Sequence, residues 1–239
     1  GSNYGVAPIA ISGDGNTIVV GYSTASYNNL SFNGYVGVYT YSNGSWSSPT
    51  SLSVSDLNVS GLGRSVAINS NGTVIVASTT SGSVYVWKYS NNTWSSSVNL
   101  INTTMSGQTS VSISSDGNTV VFGQAFITGR GVVAVWKYSN NSWGTVTYLS
   151  VPTSNTQVGS SVTISADGST IASGDTIYNT NQGQVLIWKY NNGSWGTYIT
   201  LRNSNLMVNA QLGTAVSINN DGTIITTSAP GDNWIGVWY

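Results

Sequence analysis

The chain has 239 residues, of which 39% are hydrophobic and only 5% are charged, with a net charge of −1 and neither histidine nor cysteine. Globular proteins usually carry about 25% charged residues, so solubility here must rest on serine, threonine and asparagine. The near-zero net charge excludes long-range attraction to nucleic acid or anionic lipid. Apolar runs of only a few residues exclude a helix inserted across a membrane.

One sequence pattern occurs five times along the chain, the fifth time incompletely. We place the five copies at residues 1–56, 57–104, 105–153, 154–206 and 207–239. Four of the copies close on a tryptophan, namely Trp46, Trp94, Trp143 and Trp195. Because repetition at this period is typical of propellers and solenoids, the sequence indicates a single repeat domain over residues 1–239.

The second copy shows the strands expected in each repeat. Strand A covers Val66–Ile68, and a turn containing Asn71-Gly72 leads into strand B at Val74–Val76. Strand C covers Val84–Tyr89, and strand D runs from Trp94 to about Leu100. Since Asn-Gly and Asp-Gly favour type I′ turns, in which both central residues have positive φ, we expect A–B hairpins of that type.

Strand C decides how the sheets pack. In the second copy it reads Val84-Tyr85-Val86-Trp87, which is apolar on both faces. Such a strand must be covered on both sides, as it is when four-stranded antiparallel sheets stack around an axis. We therefore expect an all-β, five-bladed β-propeller, with a β-sandwich as the alternative.

The fifth copy lacks strand D. Strands A, B and C occur five times, whereas strand D occurs four times, and we expect residues 1–4 to supply no substitute. The last blade should then be three-stranded, with Ile235–Tyr239 as an exposed edge. An open edge of this kind invites strand pairing with another chain.

Four segments resemble repeats of the FG-GAP type found in integrin-α-like propellers, most closely the variant of bacterial and giant-virus surface proteins. They are Gly63–Ile68, Gly82–Trp87, Ser114–Val120 and Asn192–Trp195. The resemblance implies a propeller placed outside the cell, on a cell or virion surface. Calcium-binding members carry a loop of alternating acids and integrin-like members have seven blades. Here each A–B turn has at most one acid and five copies occur, so neither calcium binding nor integrin-ligand binding carries over.

Catalysis and metal binding have little support in the composition. Without histidine, cysteine or glutamate, the usual general bases, nucleophile activators and metal ligands are missing, so we expect no catalytic residue, metal or cofactor. Four of the seven aspartates are explained by the A–B turns, at Asp14, Asp116, Asp167 and Asp221. Loop carboxylates such as Asp175 and Asp232 leave a remote alternative, a glycoside-active pair about 5–10 Å apart.

Two further residue sets recur near the strand ends. One lysine follows the tryptophan of strand C in each of three copies, at Lys88, Lys137 and Lys189. Two interpretations are open: the lysines form a cation–π or anion-binding set, or they are charges that keep a sheet edge soluble. The loops between strands B and C carry large aromatic residues, namely Tyr22, Tyr27, Phe32, Tyr35, Phe126, Tyr178 and Trp234.

The B–C loop aromatics suggest the function. In a propeller all B–C loops open on one rim, and aromatic rings among Ser, Asn and Gly are typical of binding loops. We expect a non-catalytic module that recognises a glycan or a protein through these residues. Two alternatives remain open: the rings fold back onto their own blades, or the domain is purely architectural, a repeat unit of a fibre, shell or adhesin.

Overall fold

The computed structural model describes residues 7–26, 33–56, 59–101, 107–126, 129–152 and 156–239. The chain forms two compact units, Gly1–Ser106 and Gly107–Tyr239. Both consist of antiparallel sheets, one sheet to each repeat of the sequence, so the expected all-β class is confirmed. Within these ranges no helix has the length and apolar character needed to cross a membrane.

The first unit contains two five-stranded sheets. Sheet 1 consists of β1 (Ile9–Ile11), β2 (Thr17–Gly21), β3 (Val36–Ser42), β4 (Ser45–Trp46) and β5 (Thr50–Leu52). Sheet 2 consists of β6 (Ser65–Ile68), β7 (Val74–Ser78), β8 (Val84–Ser90), β9 (Thr93–Trp94) and β10 (Val98–Ile101). In each sheet the strands follow the predicted order A, B, C, D, with the D segments paired to strand C.

The second unit contains three sheets. Sheet 3 consists of β11 (Gln108–Ile113), β12 (Thr119–Ala125), β13 (Val132–Ser139), β14 (Ser142–Trp143) and β15 (Thr147–Tyr148). Sheet 4 consists of β16 (Val162–Ile164), β17 (Thr170–Asp175), β18 (Gln184–Asn191), β19 (Ser194–Trp195) and β20 (Ile199–Leu201), with the helical turn α1 (Tyr178–Asn181) before β18. Sheet 5 consists of β21 (Val216–Ile218), β22 (Ile225–Ala229) and β23 (Trp234–Trp238), with a 3₁₀ turn at Pro230–Asp232 before β23.

Sheet 5 has three strands, as predicted, within the described part of the chain. Strand β23 pairs with β22 along one edge, and no described strand pairs with its other edge. Tyr239, which follows it, is exposed. The prediction that residues 1–4 add no strand lies outside the described residues.

Strand D is not continuous, so the prediction of one strand from Trp94 to Leu100 is wrong. Segments β9 and β10 both pair with β8 but are separated by residues 95–97. The interruption arises because three residues of strand D, 95–97, lie opposite only two of strand C, 87–88. The Ser95 N–H donates to the Lys88 carbonyl (2.8 Å), and its hydroxyl oxygen accepts from the Lys88 N–H (3.1 Å). Sheets 3 and 4 have the same interruption with Gly144 and Gly196 in place of Ser95, so it does not depend on the hydroxyl.

The A–B turn is not the predicted type I′ turn. In the A–B turn only Gly72 has positive φ, because the Asn69 N–H donates to the Val74 carbonyl (3.1 Å) and closes a longer loop over residues 70–73. A type I′ turn needs two positive φ values. The C–D turn meets that condition, with Asn91 at 50° and Asn92 at 60°. The two-residue hairpin therefore lies between strands C and D.

Consecutive sheets of a unit pack in one recurring way. We call the face of each sheet that bears the equivalents of Val36 and Val38 of β3 the front, and the opposite face, which bears the equivalents of Val66 and Ile68 of β6, the back. In the first unit Val36 and Val38, on the front of sheet 1, share a buried cluster with Val66 and Ile68, on the back of sheet 2. In the second unit the front of sheet 3 packs likewise on the back of sheet 4, and the front of sheet 4 on the back of sheet 5. Burial of these apolar faces is the main stabilising term.

Glycine permits a close backbone approach beside these faces. A Cβ built on Gly123 in β12 would lie 2.5 Å from the Gly159 carbonyl oxygen and 2.8 Å from its Cα. The same approach joins Gly21 to Gly63 in the first unit. The recurrent glycines of the sequence pattern are therefore needed where neighbouring sheets touch.

Candidate functional site

A tyrosine and a tryptophan form a cross-strand pair at each C–D turn. The type I′ turn places Tyr89 opposite Trp94 in register, and their ring centroids lie 5.1 Å apart. The same pair recurs with centroid separations of 5.3, 5.2 and 5.2 Å at Tyr41–Trp46, Tyr138–Trp143 and Tyr190–Trp195. All these rings are at least partly exposed. Cross-strand aromatic pairs of this kind stabilise a hairpin, and here they also present aromatic surface to solvent.

Two of these pairs line grooves between consecutive sheets. Groove I lies between sheets 1 and 2, has a volume of about 460 Å³ and contains Tyr89 and Trp94. Groove II lies between sheets 3 and 4, has a volume of about 570 Å³ and contains Tyr190 and Trp195. Both volumes fall in the range of about 300–1,000 Å³ that is typical of small-ligand sites.

Groove II combines aromatic rings, hydroxyl groups and one positive charge. Tyr190 and Trp195 face the D segment of sheet 3, which supplies Thr147 and the exposed ring of Tyr148. The Lys137 ammonium nitrogen lies 3.2 Å from the Tyr190 ring centroid. This cation–π contact holds the charge against the groove wall.

Groove I has the same plan without the charge. At the strand C position occupied by Lys137 in groove II, sheet 1 carries Thr40. The rest of the lining is rich in hydroxyls and contains Asn92 beside the aromatic pair. A third groove between sheets 4 and 5 contains Lys189 and Trp238 but has a volume of only about 240 Å³, below the usual range for a ligand site.

Two B–C loop aromatics of the first copy, Tyr22 and Tyr35, pack together. Tyr22 stacks on Tyr35 with ring centroids 4.6 Å apart, and its hydroxyl shares a 2.9 Å hydrogen bond with the Tyr39 hydroxyl. That hydrogen bond, aided by burial, raises the pKa of Tyr22 to about 12. The Tyr22 ring also covers Gly37, because a Cβ there would lie 2.9 Å from Tyr22 Cε2.

Trp234 takes the same position in the fifth copy. Its ring covers Gly236, the strand C counterpart of Gly37, and packs against a buried cluster that includes Leu212. It also contacts Trp238 edge-on at 5.6 Å. Tyr22 and Trp234 therefore fold back onto their own sheets, which is the alternative to a binding rim.

The remaining loop aromatics are dispersed. Tyr178 lies in α1, with the Arg202 guanidinium carbon 4.2 Å from its ring centroid. Phe126 follows β12 and is half-buried. Tyr27 and Phe32 lie outside the described residues.

Asp175 belongs to a buried hydrogen-bond network beside Tyr178. Its carboxylate accepts from the Gln157 backbone N–H (2.8 Å) and from Gln184 Nε2 (2.9 Å), and Gln184 accepts in turn from Arg202 Nε (2.9 Å). Burial raises the pKa of Asp175, although these hydrogen bonds oppose the shift. Asp232, the other carboxylate of the glycosidase alternative, accepts from the Met207 N–H (2.9 Å). Both carboxylates serve internal hydrogen bonds.

The A–B turn aspartates act as local caps, as the turn interpretation predicts. In the fourth copy the Ser165 hydroxyl donates to Asp167 (2.5 Å) and accepts from the Thr170 N–H (3.0 Å). The hydrogen bond from Ser165 lowers the pKa of Asp167. Within the described ranges, no group of three or more His, Cys, Asp or Glu side chains lies close enough to hold a metal ion.

Comparison with known proteins informs the fold alone. No protein-family model matches the chain, and no curated protein is significantly similar to it. Among solved structures it is similar to hydrazine synthase of Kuenenia stuttgartiensis, with a TM-score of 0.65 and 13% identity. The match covers 96% of this chain and 63% of that chain, so the chain spans less than two-thirds of its neighbour. Since 968 solved chains share this similarity of structure, the fold assigns no function.

The sequence pattern contained the grooves' aromatic residues, but reasoning from sequence did not single them out. Trp94 and Trp195 served as markers of the repeat, and the aromatic residues of the strands were assigned to the core. The signal that could have found them is the fixed spacing of five residues between Tyr89 and Trp94 around an Asn-Asn turn. That spacing places both rings on one face of a two-residue hairpin.

Proposed function

We propose that the five sheets are the blades of a five-bladed β-propeller of the FG-GAP type, with a three-stranded last blade. The support is the A, B, C, D strand order of each sheet and the front-to-back packing repeated within each unit. The sequence resemblance adds the expectation of a surface location, on a cell or virion.

The proposed function of this domain is non-catalytic recognition of a glycan in grooves I and II. One observation carries the proposal: a half-exposed Tyr–Trp pair lies at the same place in both grooves, among threonine and serine hydroxyls. Aromatic faces bind the apolar C–H face of a sugar ring, while hydroxyls hydrogen-bond its rim. A chain without His, Cys or Glu has few groups for catalysis, which supports binding over turnover.

Identical turns in the chain provide a matched control. The sequence Asn-Gly-Ser-Trp ends at Trp46 in the first copy and at Trp195 in the fourth, and both rings stack on a strand C tyrosine. Trp195 lines groove II, whereas Trp46 is absent from the linings of the described grooves. Replacing either tryptophan with alanine should therefore affect folding to a similar extent, whereas only the replacement of Trp195 should affect binding.

A glycan array followed by isothermal titration calorimetry tests the proposal. The array identifies a ligand, and titration then compares wild type, Trp195→Ala and Trp46→Ala. We expect Trp195→Ala to weaken binding by about tenfold, as for loss of one stacking ring, and Trp46→Ala to bind like wild type. An array without any ligand, or equal affinity for both variants, would count against groove II as a binding site.

A protein or glycan site at the B–C loops makes a different prediction. Trp234→Ala and Tyr178→Ala would then abolish binding while Trp195→Ala would not. Because Trp234 packs on Gly236 and the cluster around Leu212, we expect its loss to lower stability rather than affinity. An architectural role is the second candidate function, and an array without any ligand would favour it.

A further inference from the structure

Groove II holds a positive charge at a fixed place on its wall. Lys137 lies on β13, where it pairs in register with Thr119 and its carbonyl accepts a hydrogen bond from the Gly144 N–H (2.8 Å). Its side chain is partly buried, and the ammonium nitrogen lies 3.2 Å from the centroid of the Tyr190 ring and 5.9 Å from that of the Trp195 ring. Contacts of this length anchor an ammonium group on a ring face, so the charge has a defined position.

No opposite charge in the lining of groove II balances Lys137. Among the described residues of that lining, Lys137 is the single charged one, and the others supply hydroxyls, rings and apolar carbons. An ammonium group has three hydrogen-bond donors, and the Tyr190 ring covers one side of it, so donors remain for a bound anion. Because the chain as a whole has a net charge of −1, attraction of an anion here is a local property of the groove.

Groove I has the same backbone geometry at this position without the charge. Thr40 of β3 occupies the register position of Lys137 in β13, because each lies opposite the first residue of strand B, a threonine. The Thr40 carbonyl accepts from the Ser47 N–H at 2.8 Å, the distance found at Lys137. Of the described residues that line groove I, none is charged. The two grooves therefore offer a ligand the same ring pair and different charges.

Lys189, the equivalent residue of sheet 4, differs from Lys137. Its side chain is exposed, and it lines the smaller third groove. An exposed lysine of this kind fits the interpretation that strand-end charges keep a sheet edge soluble. Lys137 does not fit that interpretation, because its side chain lies against an aromatic ring inside a groove.

We propose that groove II selects acidic glycans, in which a sugar carries a carboxylate or a sulfate group, whereas groove I does not distinguish acidic from neutral glycans. A sugar ring that stacks on Trp195 has one edge beside the Lys137 ammonium, which then binds the anionic group through charge-assisted hydrogen bonds. This inference rests on the proposed glycan binding and adds the substrate class of each groove.

Nuclear magnetic resonance titration, followed at the indole N–H groups of Trp94 and Trp195, measures the affinity of each groove separately. The ligand is a glycan selected by the array and prepared in a neutral, a uronic-acid and a sulfated form. At Trp195 we expect the better of the two acidic forms to bind about tenfold more tightly than the neutral form, as for one charge-assisted hydrogen bond. At Trp94 all three forms should bind with the same affinity.

Three variants assign the preference to one charge. Lys137→Met keeps an unbranched side chain over Tyr190 without the ammonium group and should abolish the preference for the acidic form at Trp195. Lys189→Met removes the same charge from outside groove II and should retain that preference. Thr40→Lys places the charge in groove I and should create a preference for the acidic form at Trp94. Circular dichroism of each variant should match wild type.

The outcomes separate this inference from glycan binding itself. Equal affinities of the neutral and acidic forms at Trp195 would overturn the inference and leave glycan binding in place, whereas glycans that bind at neither ring would overturn both. A preference for the acidic form that persists in Lys137→Met would also overturn the inference. An acidic peptide that binds at Trp195 as tightly as the acidic glycan would overturn it too, and would assign the charge to protein recognition.

Discussion

The Gly123→Ala substitution tests the front-to-back packing of the sheets. Gly123 has no positive φ, so alanine brings no backbone strain of its own. The added Cβ would lie 2.5 Å from the Gly159 carbonyl oxygen and 2.5 Å from Val162 Cγ1, well inside the 3.4 Å at which ordinary contact begins. Because the Gly159 backbone cannot move aside as a side chain can, the two sheets must separate. Overpacking of this kind lowers the free energy of unfolding by about 3 kcal/mol.

Urea unfolding followed by tryptophan fluorescence measures this loss. With a denaturant slope of about 2–3 kcal/mol per molar, the midpoint should fall by about 1 M. Gly196→Ala is the matched control in the same unit, because its Cβ would meet only the Lys189 carbonyl oxygen, at 3.5 Å. We expect that control to change the free energy of unfolding by no more than about 0.5 kcal/mol. Equal midpoints for the two variants would refute the close approach of Gly123 to Gly159.

Three further predictions concern charge and ionisation. Lys137→Thr gives groove II the residue found in groove I. Calorimetry should show about tenfold weaker binding of acidic oligosaccharides, and the affinity for neutral ones should not change. An equal loss of affinity for both kinds of oligosaccharide would contradict a role for the charge. The pKa of Tyr22 in the folded protein, about 12, lies above its value of about 10 in the unfolded chain. The contribution of its hydroxyl to the free energy of unfolding is therefore fully present below pH 10 and is lost as the pH rises through the folded pKa. Tyr22→Phe should flatten that alkaline loss in urea titrations, and an unchanged slope would count against the Tyr22–Tyr39 hydrogen bond. The pKa of Asp167 is lowered below 3.8, chiefly by Ser165, so its contribution is lost as pH falls through the folded pKa. Asp167→Asn should lose less stability in acid than wild type, and parallel acid curves would argue against the cap.

Much of the fold follows from local sequence. Strands A, B and C were predicted close to their observed bounds because apolar segments alternate with glycine-containing turns at a fixed period. The break in strand D was missed because residues 95–97 lie opposite only two residues of strand C, and a polar segment does not reveal an extra residue. The type of the A–B turn was predicted wrongly because Asn71-Gly72 satisfies the type I′ preference in sequence, whereas the Asn69 N–H closes a longer loop.

The candidate site depends on information that local sequence lacks. Trp46 and Trp195 end the same four-residue segment and make the same stacking contact, yet only Trp195 lines a described groove. The difference comes from the neighbouring sheet. The positions of Tyr22 and Trp234 also depend on residues that are distant in sequence. Their rings lie over Gly37 and Gly236, where the absence of a side chain leaves room for them.

The indole N–H signals of the nine tryptophans offer the most direct test of glycan binding in the grooves. Titration of the folded domain with a glycan selected by the array should shift the assigned resonances of Trp94 and Trp195 in proton–nitrogen correlation spectra. Trp46, which ends the same four-residue segment but lies outside grooves I and II, and Trp234, which covers Gly236, should keep their resonance positions. Shifts confined to Trp234, or equal shifts at Trp46 and Trp195, would contradict binding in grooves I and II.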